Sequence, residues 1–368
     1  MILFADPKKE YLFFKNKINS TITKTLTSGV YTLGKNTHNF ECNFSKFIGT
    51  KYCVSVNSGT DAIKISLMSL GIGRGDEVIT SSNTALATIS AIIDAGATPV
   101  LLDINKETYN IDETLIEKSI NKKTKAIIPV HIYGQSCNMS VIKKIANHYR
   151  LKIIEDCSQA TGSKFKNKYV GSIGDLGCFS FYPTKNLSAL GDGGIISTNN
   201  KNLYNKLKSI RQYGWNSTKS PQSNFIGVNS RLDELQASIL NIKLKYLKNL
   251  IKKRSKIAEI FNREIDPKFY KLPFSENNNI HTYHLYVIQS HNRDRLLNEF
   301  KRNDILAGIH YKYPITKFKG YKKFLKIPFG VKNTENLYKK ALSIPNHPFL
   351  NISEIKKILK ILESFKNV

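Results

Sequence analysis

Between residues 53 and 155, short apolar runs alternate with longer segments of helical periodicity, and this alternation limits the folds open to the chain. Brief apolar runs bounded by turn residues predict strands, whereas apolar residues three and four apart predict helices. Strands that alternate with helices in this way form a mostly parallel sheet with helices on both faces. The predicted strands are 53–56, 78–80, 98–102, 126–130 and 151–155, and the predicted helices are 11–28, 40–48, one ending at 70, 85–95, 111–120 and 140–148.

Two candidate sites follow strands of this sheet, whose ligands are expected beyond the carboxyl ends of the strands. After strand 53–56, Asn57-Ser-Gly-Thr-Asp61 leads into a helix, whose first N–H groups and positive dipole end suit a phosphate. The same residues also fit an ordinary helix N-cap. Asp156 follows strand 151–155, and it either faces a cationic group in a cleft or caps a helix, with Gln159 completing a capping box.

A third candidate is Lys185, in a loop between two further predicted strands, 178–181 and 195–196. Three glycines in the loop (Gly191, Gly193 and Gly194) let the backbone bend tightly and approach a ligand. A lysine beside glycines is usually a solvated turn residue. A Schiff-base lysine instead needs partial burial, so that its amine loses a proton and attacks a carbonyl.

The rest of the chain indicates a second, smaller unit. A helix at 203–213 and a polar loop through Gly227 precede a long amphipathic helix, which opens at 229–234 and runs to about 265. Shorter elements follow, at 283–289, 295–303, 306–311 and 352–364. The predicted domains are therefore a large domain, 1–250, and a small C-terminal α/β domain, 251–368.

The net charge of +28 raises the question of nucleic-acid binding. The densest lysine segments, 243–256 and 356–366, carry apolar residues at helical spacing, which indicates solvated helix faces. The sequence contains neither interleaved aromatic and basic residues nor a helix-turn-helix signature. We therefore expect no nucleic-acid partner, and only a general attraction for anionic substrates.

Cysteine usage and hydropathy bear on metal binding and on the compartment. The five cysteines are scattered without a C-x-x-C pair, as in buried thiols of a reducing compartment, and predict no metal site. No apolar run approaches the ~18 residues that span a bilayer, so we expect no membrane association. The apolar segment before Asp6 is too short for a signal peptide, and the expected location is cytoplasmic.

Four motifs stand in one order along the chain: Ser58-Gly-Thr-Asp-Ala62, Glu155-Asp-Cys-Ser-Gln159, Ser180-Phe-Tyr-Pro-Thr-Lys-Asn186 with Gly191-Asp-Gly-Gly194, and Gly227-Val-Asn-Ser-Arg-Leu-Asp-Glu234. Together they resemble the DegT/DnrJ/StrS family of pyridoxal-phosphate (PLP) sugar-nucleotide aminotransferases. The likeness runs from about residue 29 to 250, and continues more weakly through Gly308-Ile-His-Tyr311 and Pro314. It implies the fold-type-I aminotransferase fold, an α/β fold with a large and a small domain. It also implies a homodimer with active sites at the subunit boundary.

The resemblance also implies a role for each matching residue. Lys185 would form the Schiff base with PLP, Asp156 would lie against the pyridine nitrogen, and Gln159 would bond near the phenolic oxygen. The phosphate would be held by Gly59, Thr60, Ser180 and Asn229, the last supplied by the neighbouring subunit. The implied substrate contacts are Tyr182, His310 and Tyr311.

The sequence departs from the family pattern at Thr84-Ala-Leu-Ala-Thr88. Some members place an aromatic ring against the PLP face there, whereas this chain has Ala85 and Leu86. His131 and Tyr133 are alternative stacking partners, although each would fit equally well as a packed loop residue.

The resemblance implies transamination, in which L-glutamate converts PLP to pyridoxamine phosphate and the amine then passes to a ketone on a nucleotide-linked sugar. The segments around Lys185 and Val130-His-Ile-Tyr-Gly-Gln135 are most similar to enzymes acting at C-3. They favour a dTDP-3-keto-6-deoxyhexose, giving a 3-amino sugar for a surface polysaccharide or a glycosylated metabolite. A 4-keto sugar or a UDP- or GDP-linked one is the alternative. The alternative from another functional class is a PLP-fold regulator that binds a nucleic acid or a signalling partner, and the presence of Lys185, Asp156 and Gln159 disfavours it.

Overall fold

The strands of the computed structural model form one large sheet and two small ones. The structure describes residues 1–216, 222–276 and 278–367. The strands are β1 (Tyr52–Val56), β2 (Glu77–Ser81), β3 (Thr98–Leu102), β4 (Thr124–Ile128), β5 (Lys152–Asp156), β6 (Lys164–Phe165), β7 (Lys168–Tyr169), β8 (Leu176–Ser180), β9 (Gly194–Thr198), β10 (Tyr286–Gln289) and β11 (Ala341–Ile344).

Within the described residues, seven strands form the central sheet, in the order β1-β9-β8-β5-β4-β2-β3. The pairs β2–β3, β2–β4, β4–β5 and β5–β8 are parallel. Strand β9 is antiparallel to both of its neighbours, β1 and β8. The prediction of a mostly parallel sheet is confirmed, and the exception, β9, directly follows the loop that carries Lys185.

Helices cover both faces of this sheet. On one face α3, α4 and α7 pack around Val54, Ile128 and Ile196, and on the other α2, α8 and α6 bury a separate set of apolar side chains. The helices are α1 (Pro7–Thr27), α2 (Lys35–Ile48), α3 (Gly59–Ser69), α4 (Leu86–Asp94), α5 (Ile116–Ser119), α6 (Met139–His148), α7 (Lys201–Ile210), α8 (Glu234–Leu244), α9 (Leu247–Glu264), α10 (Arg293–Arg302), α11 (Lys319–Lys322), α12 (Lys332–Lys340) and α13 (Ile352–Ser364).

A separate apolar core lies in the C-terminal part of the chain. It gathers the buried faces of α9, α10 and α13 around the antiparallel pair β10–β11, with Phe261, Tyr286 and Phe300 fully buried. The predicted domain boundary at residue 250 falls inside α9, which is therefore continuous between the two halves of the chain. No helix in the described parts of the chain combines the length and the apolarity needed to cross a bilayer.

Several predicted elements differ from the structure. The capping box at Asp156 is wrong, because the chain turns after β5 without forming a helix. Helix 111–120 is shorter than predicted, since Ile111 pairs with Ile104 and Asp112 N–H donates to the Asp103 carbonyl. The long helix to 265 is two helices, α8 and α9, separated at Lys245–Tyr246.

In the C-terminal half, residues 306–311 form no strand, although Gly308 bridges to Ser343. The partner of β10 is β11, an element that the sequence analysis missed. Of the polar loop expected up to Gly227, residues 217–221 lie outside the described residues.

Candidate active site

A cavity of about 230 Å³ lies at the carboxyl ends of β5 and β8, where parallel α/β sheets bind ligands. The first turn of α3, the start of α4 and the loop after β8 form its walls. Seven of the residues singled out from the sequence line this one cavity: Gly59, Thr60, Asp156, Gln159, Ser180, Tyr182 and Lys185.

Lys185 reaches the cavity from the loop between β8 and β9. Both ends of this loop are fixed, since Phe181 N–H donates to the Gly193 carbonyl and Ala189 N–H to the Phe181 carbonyl, at 2.8 and 2.7 Å. Burial lowers the pKa of Lys185 from its usual value near 10.5 to about 8, and the negative charge of Asp156 opposes that shift. A lowered pKa leaves part of the amine neutral near pH 7, which is the state a nucleophilic lysine needs.

Asp156 is the last residue of β5, and its carboxylate is buried at the cavity wall. Oδ2 accepts the Thr88 hydroxyl at 2.8 Å, and Oδ1 accepts the Ser158 N–H at 3.0 Å. Thr88 was not singled out from the sequence. Thr84, two residues before the start of α4, lies 2.7 Å from the Thr88 hydroxyl, and no helical spacing in the sequence indicates this contact.

The N-terminus of α3 forms the opposite end of the cavity. Ser58 caps the helix by accepting the Asp61 N–H at 3.1 Å, while the N–H groups of the first turn have no partner within the helix. A Cβ on Gly59 would lie 2.6 Å from Cβ of Ser180, and one on Gly194 would lie 2.3 Å from the Ser58 carbonyl. Both positions therefore need glycine, and the close packing holds this donor-rich turn against the ends of β8 and β9.

Gln159 connects two parts of the structure that are far apart in sequence. Its Oε1 accepts the Tyr133 N–H at 2.9 Å, and its Nε2 donates to the Tyr311 hydroxyl at 2.8 Å. The Tyr133 N–H can only donate, so these contacts fix the orientation of the side-chain amide. Through Gln159, the segment containing Tyr311 is bonded to the cavity wall.

Three residues expected at the site do not line this cavity. Asn229 is exposed in the loop before α8, where it bridges to Gln212. His310 is partly buried and contacts Ser343 Oγ at 2.9 Å through Nδ1. Burial, together with the positive charge of Lys185, lowers the pKa of His310 to about 4, so its ring is neutral at pH 7. The hydroxyl of Tyr311 accepts a hydrogen bond from Gln159 Nε2 at the cavity wall.

Neither of the two suggested stacking residues lines the cavity. His131 is fully buried behind it, where its Nδ1 accepts the Cys137 N–H and its Nε2 faces Glu155. Tyr133 donates its hydroxyl to the His310 carbonyl. The residues at the cavity that follow β2 and β4 are small or aliphatic: Thr84, Ala85, Ala87 and Val130.

Glu155, on the other side of β5 from the cavity, joins the surrounding loops. Its fully buried carboxylate accepts the N–H groups of Gly171, Ile173 and Gly174 at 2.7 to 2.9 Å. The His131 ring adds a fourth contact at 3.1 Å. Every carboxylate oxygen is therefore bonded, and the loops on both sides of β5 are held at fixed positions next to Asp156.

This arrangement fits PLP in three respects. An amine of lowered pKa can attack an aldehyde, a buried carboxylate can face a ring nitrogen, and a glycine-lined helix N-terminus can accept a phosphate. The three groups line one cavity, which the chemistry of the coenzyme requires. The residues that would hold PLP are therefore Lys185, Asp156, Gly59, Thr60 and Ser180.

Comparison with known proteins agrees with this chemistry. Residues 14–363 match the model of the DegT/DnrJ/EryC1/StrS aminotransferase family. The chain is 41% identical over 365 residues to a dTDP-3-amino-3,6-dideoxy-alpha-D-galactopyranose transaminase of Aneurinibacillus thermoaerophilus, with 99% of each chain covered. It is 37% identical over 363 residues to a UDP-2-acetamido-2-deoxy-3-oxo-D-glucuronate aminotransferase of Pseudomonas aeruginosa, covering 98% of this chain and 99% of the relative. The X-ray structure of S. venezuelae DesV in complex with a ketimine intermediate has a TM-score of 0.95 at 31% identity, covering 100% of this chain and 98% of DesV.

Proposed function

The chain belongs to the DegT/DnrJ/EryC1/StrS aminotransferase family, and from this premise we propose that it transfers an amino group from L-glutamate to a ketone on a nucleotide-linked sugar. Its cofactor is PLP, and its fold is the fold-type-I aminotransferase fold. One observation carries the proposal: Lys185 and Asp156 line the same cavity as the N-terminus of α3.

The residues of the cavity divide the chemistry between them. When bound, PLP supplies an aldehyde and a pyridine ring that accepts electrons from the reacting carbon. Asp156 would keep the ring nitrogen protonated, and the Thr88 hydroxyl donates a hydrogen bond that holds the Asp156 carboxylate in place. At a pKa of about 8, roughly a tenth of the Lys185 amine is neutral at pH 7. Lys185 Nζ would hold the aldehyde of the coenzyme, and in its free form it would remove a proton from the donor carbon in the first half-reaction and deliver a proton to the acceptor carbon in the second.

We favour a dTDP-linked 3-keto-6-deoxyhexose as the amino acceptor. The name of the relative with 41% identity contains a dTDP-linked 3-amino sugar, and the name of the relative with 37% identity contains a UDP-linked 3-oxo sugar. Both names support reaction at C-3. The higher identity to the first relative supports dTDP as the nucleotide of the substrate. The 3-amino product would serve a surface polysaccharide or a glycosylated metabolite.

A homodimer with shared active sites is also part of the proposal. The cavity of about 230 Å³ is smaller than the roughly 300–1,000 Å³ of small-molecule pockets, which supports completion by a second subunit. The exposed Asn229 is the residue proposed to reach the phosphate site of the neighbouring chain. The five free cysteines support a reducing compartment, the cytoplasm, as the place of action.

A small panel of nucleotide sugars tests the substrate. The purified holoenzyme is supplied with L-glutamate and with 3-keto or 4-keto sugars linked to dTDP or UDP, and amino-sugar formation is measured. The proposal predicts the highest kcat/KM for a dTDP-linked 3-keto-6-deoxyhexose. A higher kcat/KM for a 4-keto sugar would contradict the proposed position, and one for a UDP-linked 3-keto sugar would contradict the proposed nucleotide. A protein that shows no visible PLP band and binds DNA at about 0.15 M salt would favour the regulatory rival.

A further inference from the structure

A second cavity, of about 820 Å³, lies between α2, α7 and the segment that follows α7. It shares no lining residue with the cavity that contains Lys185. Its volume falls within the roughly 300–1,000 Å³ typical of sites for small molecules. The proposed transamination assigns no role to this cavity.

Two buried polar groups at its wall lack partners. Arg211 and Ser209 are 6% and 8% exposed, and neither Nε of Arg211 nor Oγ of Ser209 is hydrogen-bonded within the described residues. Buried polar atoms are nearly always bonded, because leaving one without a partner is energetically costly. Both side chains line the cavity, so a ligand there can supply the missing contacts.

The rest of the Arg211 guanidinium is firmly held. Nη1 donates to Oε1 of Glu41, and also to the carbonyl of Ser55 at 2.9 Å. This Glu41 oxygen additionally accepts the N–H and hydroxyl of Ser55, whereas no described residue donates to Oε2. The cavity therefore offers a preorganised cation together with an acceptor that a ligand hydroxyl can use.

Two lysines add positive charge at the same cavity. Lys206 Nζ lies 5.1 Å from the ring centroid of Phe225, and Lys208 Nζ lies 5.4 Å from that of Tyr204. Contact with an aromatic face restrains each ammonium. Among the described residues of the lining there are three cations, counting Arg211, against the single carboxylate of Glu41. The net positive charge of the lining therefore attracts an anionic ligand to the cavity.

The aromatic residues narrow the ligand class further. Trp215 lines the cavity and offers an aromatic surface beside the cations, whereas Tyr204 is stacked on Tyr52 and Phe225 is contacted by Lys206. A ligand that uses all of these groups has an aromatic ring to stack, hydroxyls for Glu41 and a phosphate for the cations. We infer that this cavity binds a nucleoside phosphate, in particular a nucleoside diphosphate. The inference holds whether the nucleotide is part of the sugar substrate or a free molecule.

Trp215 provides a direct assay, because it is the single tryptophan of the chain. The holoenzyme is titrated with dTDP, with UDP and with inorganic pyrophosphate, while tryptophan emission is recorded. We expect the nucleotides to change the emission and to bind about tenfold more tightly than pyrophosphate, since only they use the aromatic wall. The paired variant Lys206→Gln/Lys208→Gln should weaken nucleotide binding by roughly tenfold or more.

Lys143→Gln/Lys144→Gln is the matched control, because it removes the same charge from exposed positions of α6 that line neither cavity. Its nucleotide affinity should stay within about twofold of the wild type. Unchanged Trp215 emission with both nucleotides, or an equal loss of affinity in the two paired variants, would overturn the inference. So would pyrophosphate binding as tightly as dTDP.

Kinetics with the nucleotide sugar identify the source of the nucleotide. If the substrate occupies the cavity, Lys206→Gln/Lys208→Gln raises KM and leaves kcat in place. If a free nucleotide occupies it, KM stays unchanged while the Trp215 response is lost. The Lys185→Ala variant, which tests the transamination separately, should keep the Trp215 response, so that the two proposals can fail independently.

Discussion

The hydroxyl of Thr88, in the first turn of α4, donates a 2.8 Å hydrogen bond to Oδ2 of Asp156, at the end of β5. Both side chains are buried, and Thr84 lies 2.7 Å from the same hydroxyl. Since the Thr88 proton is given to the carboxylate, Thr84 must donate to Thr88. A short chain of two hydroxyls therefore fixes the charged group proposed to face the coenzyme ring.

Thr88→Val keeps the shape of the side chain and removes this donor. A hydrogen bond to a buried charged group contributes about 1.5–3 kcal/mol, so the free energy of unfolding of the apoprotein should fall by about that amount. Urea denaturation measures it. Thr114→Val is the control, because Thr114 makes an equivalent bond to Asp112 at an exposed position and its loss should cost less than about 0.5 kcal/mol. Equal losses in the two variants would show that burial of the Thr88–Asp156 bond is unimportant.

The lowered pKa of Lys185 predicts how PLP incorporation depends on pH. Only the neutral amine attacks the aldehyde, so the rate of PLP uptake by the apoprotein should rise about tenfold per pH unit below pH 8 and level off above it. The charge of Asp156 favours the protonated amine. Asp156→Asn should therefore move the midpoint to lower pH. A midpoint near 10.5 in the wild type would mean that Lys185 is solvated.

Lys185→Ala should abolish both the visible absorbance of covalently held PLP and turnover, because no other amine occupies its position at the cavity. Lys185→Arg is the conservative comparison, since it keeps a cation that cannot lose its proton and should be equally inactive. In the wild type, L-glutamate should bleach the absorbance band. The assignment of Lys185 is refuted if the alanine variant keeps its PLP spectrum and full activity.

Glu155→Gln should lower the stability of the apoprotein by about 3 kcal/mol, although it preserves the size of the side chain. The substitution replaces one carboxylate oxygen by an NH₂ group. In one orientation of the side chain this group faces the Gly171 N–H, and in the other it faces the N–H groups of Ile173 and Gly174, so two donors meet in both cases. Thermal or urea unfolding detects the loss. Glu117→Gln, at an exposed glutamate that accepts only the Tyr149 hydroxyl, should be almost neutral. A stable Glu155→Gln protein would indicate that these loops are held by other contacts.

The parts of the site that lie close together in sequence were accessible from the sequence alone. Asp156 was expected at a strand end because an apolar run precedes it, and it is the last residue of β5. Gly59 and Thr60 were expected at a helix N-terminus, where α3 begins. In each case local periodicity and turn chemistry determine the placement.

Contacts between distant segments could not be predicted in this way. The bond from Gln159 to Tyr311 joins residues 152 positions apart, and no local pattern indicates it. The start of helix 111–120 was predicted wrongly because Ile111 pairs with Ile104 and Asp112 bonds to Asp103, a tertiary contact that overrides local propensity. Strand β11, only four residues long and directly after α12, lacked the turn residues that would have separated it from the helix.

The direction of β9 has a consequence for how the enzyme can change over time. Because β9 runs against its neighbours, the chain leaves the sheet at Ser180 and rejoins it at Gly194 on the same edge. The loop that carries Lys185 is therefore attached at both ends to adjacent strands of the central sheet, whereas part of the remaining cavity wall comes from the connections that follow β2 and β4. New acceptor preferences should arise by remodelling those connections, while the lysine keeps its position.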